Sequence, residues 1–128
     1  MAELPRLYPV NLVLDGQPVL VVGGGQVARS KVVELVACGA VVTVIAPEIV
    51  PELRDLDALT LLERPYETGD VSGVRLVVSA TGDPSVNAAV LADGDAVGVW
   101  VNGVDDPANA AVTLPARIRQ GDLLVTFS

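Results

Sequence analysis

Apolar and polar positions alternate through Tyr8, Val10, Leu12 and Leu14, a period of two that predicts a half-buried strand. Asp15-Gly16 follows as a tight-turn pair, so the chain is expected to open with an antiparallel hairpin into the apolar run 19–22. From Gln26 to Ala37 the period becomes helical. Ala28, Val32, Leu35 and Val36 recur on one side, with Arg29, Ser30, Lys31 and Glu34 turned mostly away, and Gly39 is a fitting helix stop. A second apolar run, 40–45, is rich in β-branched residues and closes at Ala46-Pro47. Residues 48–56 then predict a short helix and 59–64 a third strand. Residues 65–73 read as a surface connection, 74–80 as a fourth core strand and 81–84 as its exit loop. Residues 85–92 predict a helix, 93–96 are polar, and 97–101 predict a fifth strand ending at Asn102.

Apolar runs alternating with helical ones give βαβαβαβ, and right-handed crossovers fold that order into an α/β, Rossmann-like, doubly wound parallel sheet. After Asn102 the pattern changes. Residues 110–114 and 123–127 are strand-like, but the stretch 115–122 between them leaves no room for a crossover helix. A C-terminal strand pair is therefore expected to leave the sheet as a hairpin, dividing the chain into a first domain, 1–109, and a further segment, 110–128. The sequence reaches Ser128 directly on an apolar run, which predicts a piece of a longer protein.

Composition narrows the picture. Hydrophobic residues make up 51% of the 128 positions and aromatics only 3%, so Val, Leu, Ile and Ala must fill the core, as in parallel sheets covered on both faces. A net charge of −8 with eight Lys and Arg in all argues against a nucleic-acid surface and an anionic membrane. No apolar run approaches the roughly 20 residues of a membrane span, and no signal-peptide pattern follows Met1-Ala2-Glu3, so a soluble, cytoplasmic protein is expected. The single cysteine, Cys38, excludes an internal disulfide and reads as a small packing residue. With no histidine in the chain, Ser-His-Asp catalysis, His general-base chemistry and His metal sites are excluded, and no metal site is predicted.

The apolar run 19–22 delivers the backbone into Gly23-Gly24-Gly25-Gln26-Val27-Ala28, with a helix immediately behind. In a dinucleotide fingerprint Gly23 would make the sharp turn, Gly25 would let the backbone approach a pyrophosphate, and small Ala28 would let the helix pack near the strand. The pyrophosphate would then lie on the N–H groups at the positive end of the helix. The plainer reading is a turn that closes any βα unit. Two further loops, 79–83 and 102–106, are expected at the same edge of the sheet. A carboxylate in the second would stand near a nicotinamide, although Asp105, Asp106 and Pro107 also suit a solvated turn. Glu48 lies near the place where NAD enzymes hold the ribose hydroxyls, and no Arg stands beside it to welcome a 2′-phosphate, which favours NAD over NADP. A Tyr-x-x-x-Lys pair is ruled out, because Val27 occupies the position four residues before Lys31.

These residues together resemble one family, the precorrin-2 dehydrogenase or siroheme synthase N-terminal domain. The resemblance runs through Leu4-Pro5, Tyr8-Pro9-Val10, the turn from Val22 to Lys31, Gly39-Ala40, and Val42 to Pro47. It continues through Ala80-Thr81 with Val86-Asn87, Asn102-Gly103-Val104-Asp105 with Pro107, and Leu114-Pro115. It implies NAD-dependent oxidation of the tetrapyrrole precorrin-2 to sirohydrochlorin, and in some members ferrous iron insertion as well. It implies that Gly23, Gly24, Gly25, Gln26 and Val27 hold the pyrophosphate, and that Pro47 and Glu48 flank the adenosine ribose. Thr81, Asn102 and Gly103 would line the nicotinamide side, and Asp105 would take the place of the catalytic aspartate. Family members continue with a dimerising segment, so 110–128 would begin it and the full-length protein would be a homodimer. Precorrin-2 carries many carboxylates, and Arg29, Lys31, Arg117 and Arg119 are the cations expected to offset the acidity of this chain. A non-catalytic nucleotide-sensing module, like the regulatory domains of potassium transport systems, is the rival reading. Such sensors usually end the second strand on an acidic residue, where this chain has Ala46-Pro47. A structural remnant that binds no nucleotide is a third.

Overall fold

The computed structural model describes residues 6–114 and the strands Ala116–Gln120 and Leu123–Phe127. Strands β1 (Pro18–Val22), β2 (Val41–Ala46), β3 (Leu59–Glu63), β4 (Leu76–Ser79) and β5 (Trp100–Gly103) form one parallel sheet in the order β3-β2-β1-β4-β5. The strand order reverses between β1 and β4, which is where a doubly wound sheet opens its ligand crevice. Helices α1 (Gln26–Ala37), α2 (Pro51–Arg54) and α3 (Pro84–Val97) supply the covering layers, together with a 3₁₀ turn at Thr68–Val71.

The alternation of side chains along the central strands divides the core in two. Val19, Val21, Val44 and Val78 face Val32 and Leu35 of α1 and Leu53 of α2. Leu20, Val22, Val77 and Val101 face Val90 of α3 and Val71 of the 3₁₀ turn. Fully burying side chains of this size contributes roughly 1.5–3 kcal/mol each, so the predicted aliphatic core is what holds the sheet between its layers. Gly94 lets α3 approach β5, since a Cβ there would press on the Val101 side chain and the Val99 carbonyl. The strands β6 (Ala116–Gln120) and β7 (Leu123–Phe127) pair antiparallel in a separate two-stranded sheet, as the expected C-terminal hairpin.

Several local expectations are corrected. Residues 6–14 form no strand, and the opening hairpin is absent: Gln17 N–H closes a turn on the Leu14 carbonyl at 2.9 Å, but both edges of β1 are already taken by β2 and β4. Helix α2 begins only at Pro51 rather than at residue 48. Val50, the residue before that proline, is extended, as the proline ring requires. Helix α3 runs on through the polar stretch 93–96 to Val97, because Gly98 supplies the left-handed stop at φ 75°. Strand β5 is displaced accordingly from 97–101. Residues 110–114 are not a strand: the N–H groups of Ala111 and Val112 both donate to the Val101 carbonyl, and the strand lies instead at 116–120, within the predicted connector. Cys38 is exposed rather than packed. Among the described residues no helix is long and apolar enough to cross a membrane.

Candidate functional site

The turn after β1 is built from backbone contacts. Gly23 has φ +129°, and a Cβ there would strike the Ala80 carbonyl at the end of β4. Gly24 is closed in by the Glu48 carbonyl and the Ala46 side chain, and it accepts a 2.9 Å hydrogen bond from Val50 N–H. Gly25 differs, because a Cβ there would meet nothing within 4 Å. Gly25 is also the N-cap of α1, and no side chain caps the helix. The first N–H groups of α1 therefore border open space, as anion binding by a helix N-terminus requires. That combination fits a pyrophosphate lying over Gly25, Gln26 and Val27. Pro47 and Glu48 are exposed at the end of β2, and the Glu48 carbonyl packs beside Gly24. The acidic side chain at that strand end is Glu48 itself, two residues beyond Ala46.

The other two loops are joined by one buried side chain. Asn87 on α3 is only 2% exposed, and its Oδ1 accepts from Ser79 Oγ at 2.7 Å and from Thr81 Oγ1 at 2.5 Å. Its Nδ2 donates to the Thr81 carbonyl at 3.2 Å and to Asp106 Oδ2 at 3.0 Å. Every hydrogen-bonding group of the amide is thus used, and β4, α3 and the loop after β5 are tied at one point. Asp106 Oδ2 also accepts from Asn109 Nδ2 at 2.9 Å. The hydrogen bonds from Asn109 and Asn87 hold the Asp106 carboxyl below the usual carboxylate range. Asp105, beside it, is exposed and left-handed, with φ +55°. Aspartate tolerates that conformation better than most residues, at a cost of about 1–2 kcal/mol.

A recess of about 400 Å³ opens where these parts meet, with Val27, Thr81, Asn87, Asp105 and Asp106 on its walls. Val104, Asp105 and Asp106 also wall a second recess of about 230 Å³, which takes in Asn102, Gly103 and Lys31. The structure therefore brings Val27, Thr81 and Asp105 together around one cavity. It sets Asn102 and Gly103 on the other side of the same loop. Gly23, Gly24, Gly25, Gln26, Pro47 and Glu48 line neither recess and form the neighbouring turn. A matching sequence profile decides the family: residues 10–116 fit the one described as "Putative NAD(P)-binding".

The chain belongs to this NAD(P)-binding family. It is 44% identical over 126 residues to siroheme synthases of Ectopseudomonas mendocina and Chromobacterium violaceum, covering 96% of this chain and 27% of each relative. Siroheme synthase 2 of Aeromonas hydrophila is 39% identical over 121 residues, which cover 94% of this chain and 26% of that protein. The chain thus spans about a quarter of the length of these relatives. A solved structure titled "SirC, precorrin-2 dehydrogenase" superposes with a TM-score of 0.78 at 29% identity, over 95% of this chain and 61% of that one. Asn87 and Asp106 are the residues that sequence reasoning left out of the site. The signals for Asn87 were its place in the family resemblance, with Val86, and a polar side chain on the apolar side of a helix, four residues after its N-cap Asp83.

Proposed function

We propose that this chain is the NAD-dependent unit that oxidises precorrin-2 to sirohydrochlorin on the way to siroheme. The observation that carries the reading is the single recess shared by the first turn of α1, the β4 exit and the Asp105 loop. The likeness to siroheme synthases and to a precorrin-2 dehydrogenase runs over nearly the whole chain and names the chemistry. Gly23, Gly24 and Gly25 shape the turn, Gln26 and Val27 bring N–H groups to the pyrophosphate, and Pro47 and Glu48 border the adenosine ribose. Thr81, Asn102 and Gly103 frame the nicotinamide end. NAD supplies the acceptor for the hydride when it is bound.

The substrate loses two hydrogens as one hydride and one proton. A C–H bond of the macrocycle breaks with its electron pair leaving as hydride. A proton departs from a neighbouring position to the Asp105 carboxylate, and the freed electrons become a new double bond in the conjugated ring. Asp105 suits the role by position, since it is exposed on a wall common to both recesses and no side-chain hydrogen bond to it is seen among the described residues. Asp106 is already committed to Asn87 and Asn109 and supports the loop. Residues 110–128 begin the dimerising segment of a longer cytoplasmic homodimer in this reading, and ferrous iron insertion is a further activity of that longer protein.

Incubating the chain with NAD⁺ and precorrin-2 should generate NADH and the sirohydrochlorin spectrum together. Replacing the general base, Asp105→Ala, should lower turnover about 100-fold or more. Affinity for NAD should stay within about threefold, a change of under 1 kcal/mol. Turnover by Asp105→Ala at the parent rate would remove the catalytic assignment. Tight NAD binding by the parent with no change in precorrin-2 would instead favour a sensor.

A further inference from the structure

Asp105 is held between two anchors. On one side Val104 N–H donates to the Ser79 carbonyl at 2.9 Å, and on the other Asn87 Nδ2 donates to the Asp106 carboxylate at 3.0 Å. Both anchors lead back to the exit of β4, because Asn87 Oδ1 accepts from the Ser79 and Thr81 hydroxyls. Asp105 does nothing to hold the loop itself. It is exposed, and at φ +55° it occupies a left-handed conformation that an unrestrained aspartate leaves. The shape of the loop at this residue is therefore imposed by its neighbours. The way the Asn87 amide faces is fixed by chemistry as well. The Thr81 carbonyl and the Asp106 carboxylate can only accept, so the NH2 group must face them, and Oδ1 is left for the two hydroxyls. Asn109 also donates to Asp106, but it belongs to the same loop, so that contact stiffens the loop without tying it to β4.

We propose that Asn87 is the positioning residue of the dehydrogenation: one buried amide fixes the spacing between Thr81, on the nicotinamide side, and Asp105, the proton acceptor. The proposal rests on the dehydrogenase reading above. Thr81 and Asp105 both wall the 400 Å³ recess. A hydride and a proton leave neighbouring positions of the substrate, so their two acceptors must be kept at one separation, and a misplacement of about 1 Å can cost about 100-fold in rate. Asn87 reaches the same wall, but both of its donors and its acceptor oxygen are engaged within the protein, so it acts through Thr81 and Asp106 and not on the reacting atoms. An aspartate in its place would set a carboxylate against the Asp106 carboxylate while still accepting from the two hydroxyls. The Thr81 side would then hold, and the Asp105 side would be released.

Asn87→Asp makes that separation testable. With NAD⁺ and precorrin-2 saturating, kcat should fall about 100-fold, whereas the NAD dissociation constant should stay within about threefold of the parent value. In the NAD-free variant the backbone NMR shifts of Asp105 should leave the left-handed values of the parent. Combining Asn87→Asp with Asp106→Asn exchanges the two partners and restores a donor facing an acceptor. That double variant should regain kcat to within about tenfold of the parent, together with parent-like shifts at Asp105. Parent-like kcat in Asn87→Asp would remove the positioning role and leave the dehydrogenase reading standing. A fall in kcat with the Asp105 shifts unmoved would also remove it, because the loss would not run through that residue. Should Asn87→Asp fail to bind NAD, the double variant decides: recovered kcat supports the role, and a loss as deep as in the single variant overturns it. A parent chain that binds NAD and leaves precorrin-2 unchanged overturns both readings.

Discussion

The turn after β1 and the loop after β5 stand at the same edge of the sheet, but different forces hold them. Main-chain packing fixes the turn. Gly23 touches the end of β4, Gly24 touches Glu48 and Ala46, and no side-chain hydrogen bond to the turn is present among the described residues. The loop has main-chain packing too, at Gly103 against the Asn109 and Asp106 carbonyls, but side-chain hydrogen bonds are added to it: Asp106 is held by Asn87 from α3 and by Asn109, while Asp105 next to it is left-handed and exposed. The cofactor end of the site is therefore set by steric fit and should be insensitive to pH. The chemical end is set by charge and amide contacts, and should respond to both acid and polar substitution. Under the proposed function, such a site can keep NAD while losing the alignment of the acid/base group assigned to it.

Gly23→Ala is the strongest test of the steric half. The new methyl would meet the Ala80 carbonyl in a backbone conformation unfavourable to any L residue, so overpacking of about 1–3 kcal/mol adds to strain of similar size. A loss of roughly 3 kcal/mol in denaturant unfolding is expected, with NAD affinity falling as the β1–β4 seam shifts. A variant as stable as the parent would mean that packing does not fix the turn.

Asn87→Leu attacks the other half. It removes the acceptor for Ser79 and Thr81 and leaves buried polar groups unpaired, so a loss of about 2 kcal/mol is expected. The Asp106 carboxyl also loses one of its two amide donors, and its pKa should rise toward the ordinary value near about 3.9. Acid acts on the same contact. The Asp106 pKa is depressed in the folded chain, so its stabilisation is complete above the unfolded value and disappears as pH falls through the folded one. Asp70 follows the same rule, since the Arg64 guanidinium holds its carboxyl low. Carboxyl titration by NMR, in parent and variant, checks the direction. An Asp106 that titrates identically in both would detach Asn87 from the loop.

The sequence made the first half of the site legible for the same reason that makes it rigid. A glycine turn between an apolar run and a helix at Gln26–Ala37 is a local pattern, and α1 forms with those bounds. The parallel order follows from alternation alone, because each crossover repeats the same chemistry. The opening strand was misread because the period at 8–14 is real, yet β1 has no free edge to pair with it. Helix α3 was cut short because Asp93 looks polar. Its carboxylate in fact accepts from the Tyr66 hydroxyl at 2.6 Å, across 27 positions in sequence. Asn87 was underrated for a similar reason, since its partners come from two separate segments, 79–81 and Asp106, and no spacing rule reports them. Local patterns revealed backbone turns, while long-range polar contacts stayed hidden.

Gly25 carries the smallest expected effect on stability and separates the two kinds of restraint most cleanly. It has an ordinary φ of −95°, and a Cβ built there meets no protein atom within 4 Å, so Gly25→Ala has no packing reason to destabilise the fold. Ala is a poorer N-cap than Gly, so unfolding free energy should fall by no more than about 1 kcal/mol. The same methyl would occupy the space over the N-terminus of α1 where the pyrophosphate is assigned, so NAD affinity should fall about tenfold. Gly23→Ala then costs stability first and binding as a result, whereas Gly25→Ala costs chiefly binding. If calorimetry shows NAD bound by Gly25→Ala as tightly as by the parent, that space is not the pyrophosphate site, because a methyl there would stand where the pyrophosphate is assigned.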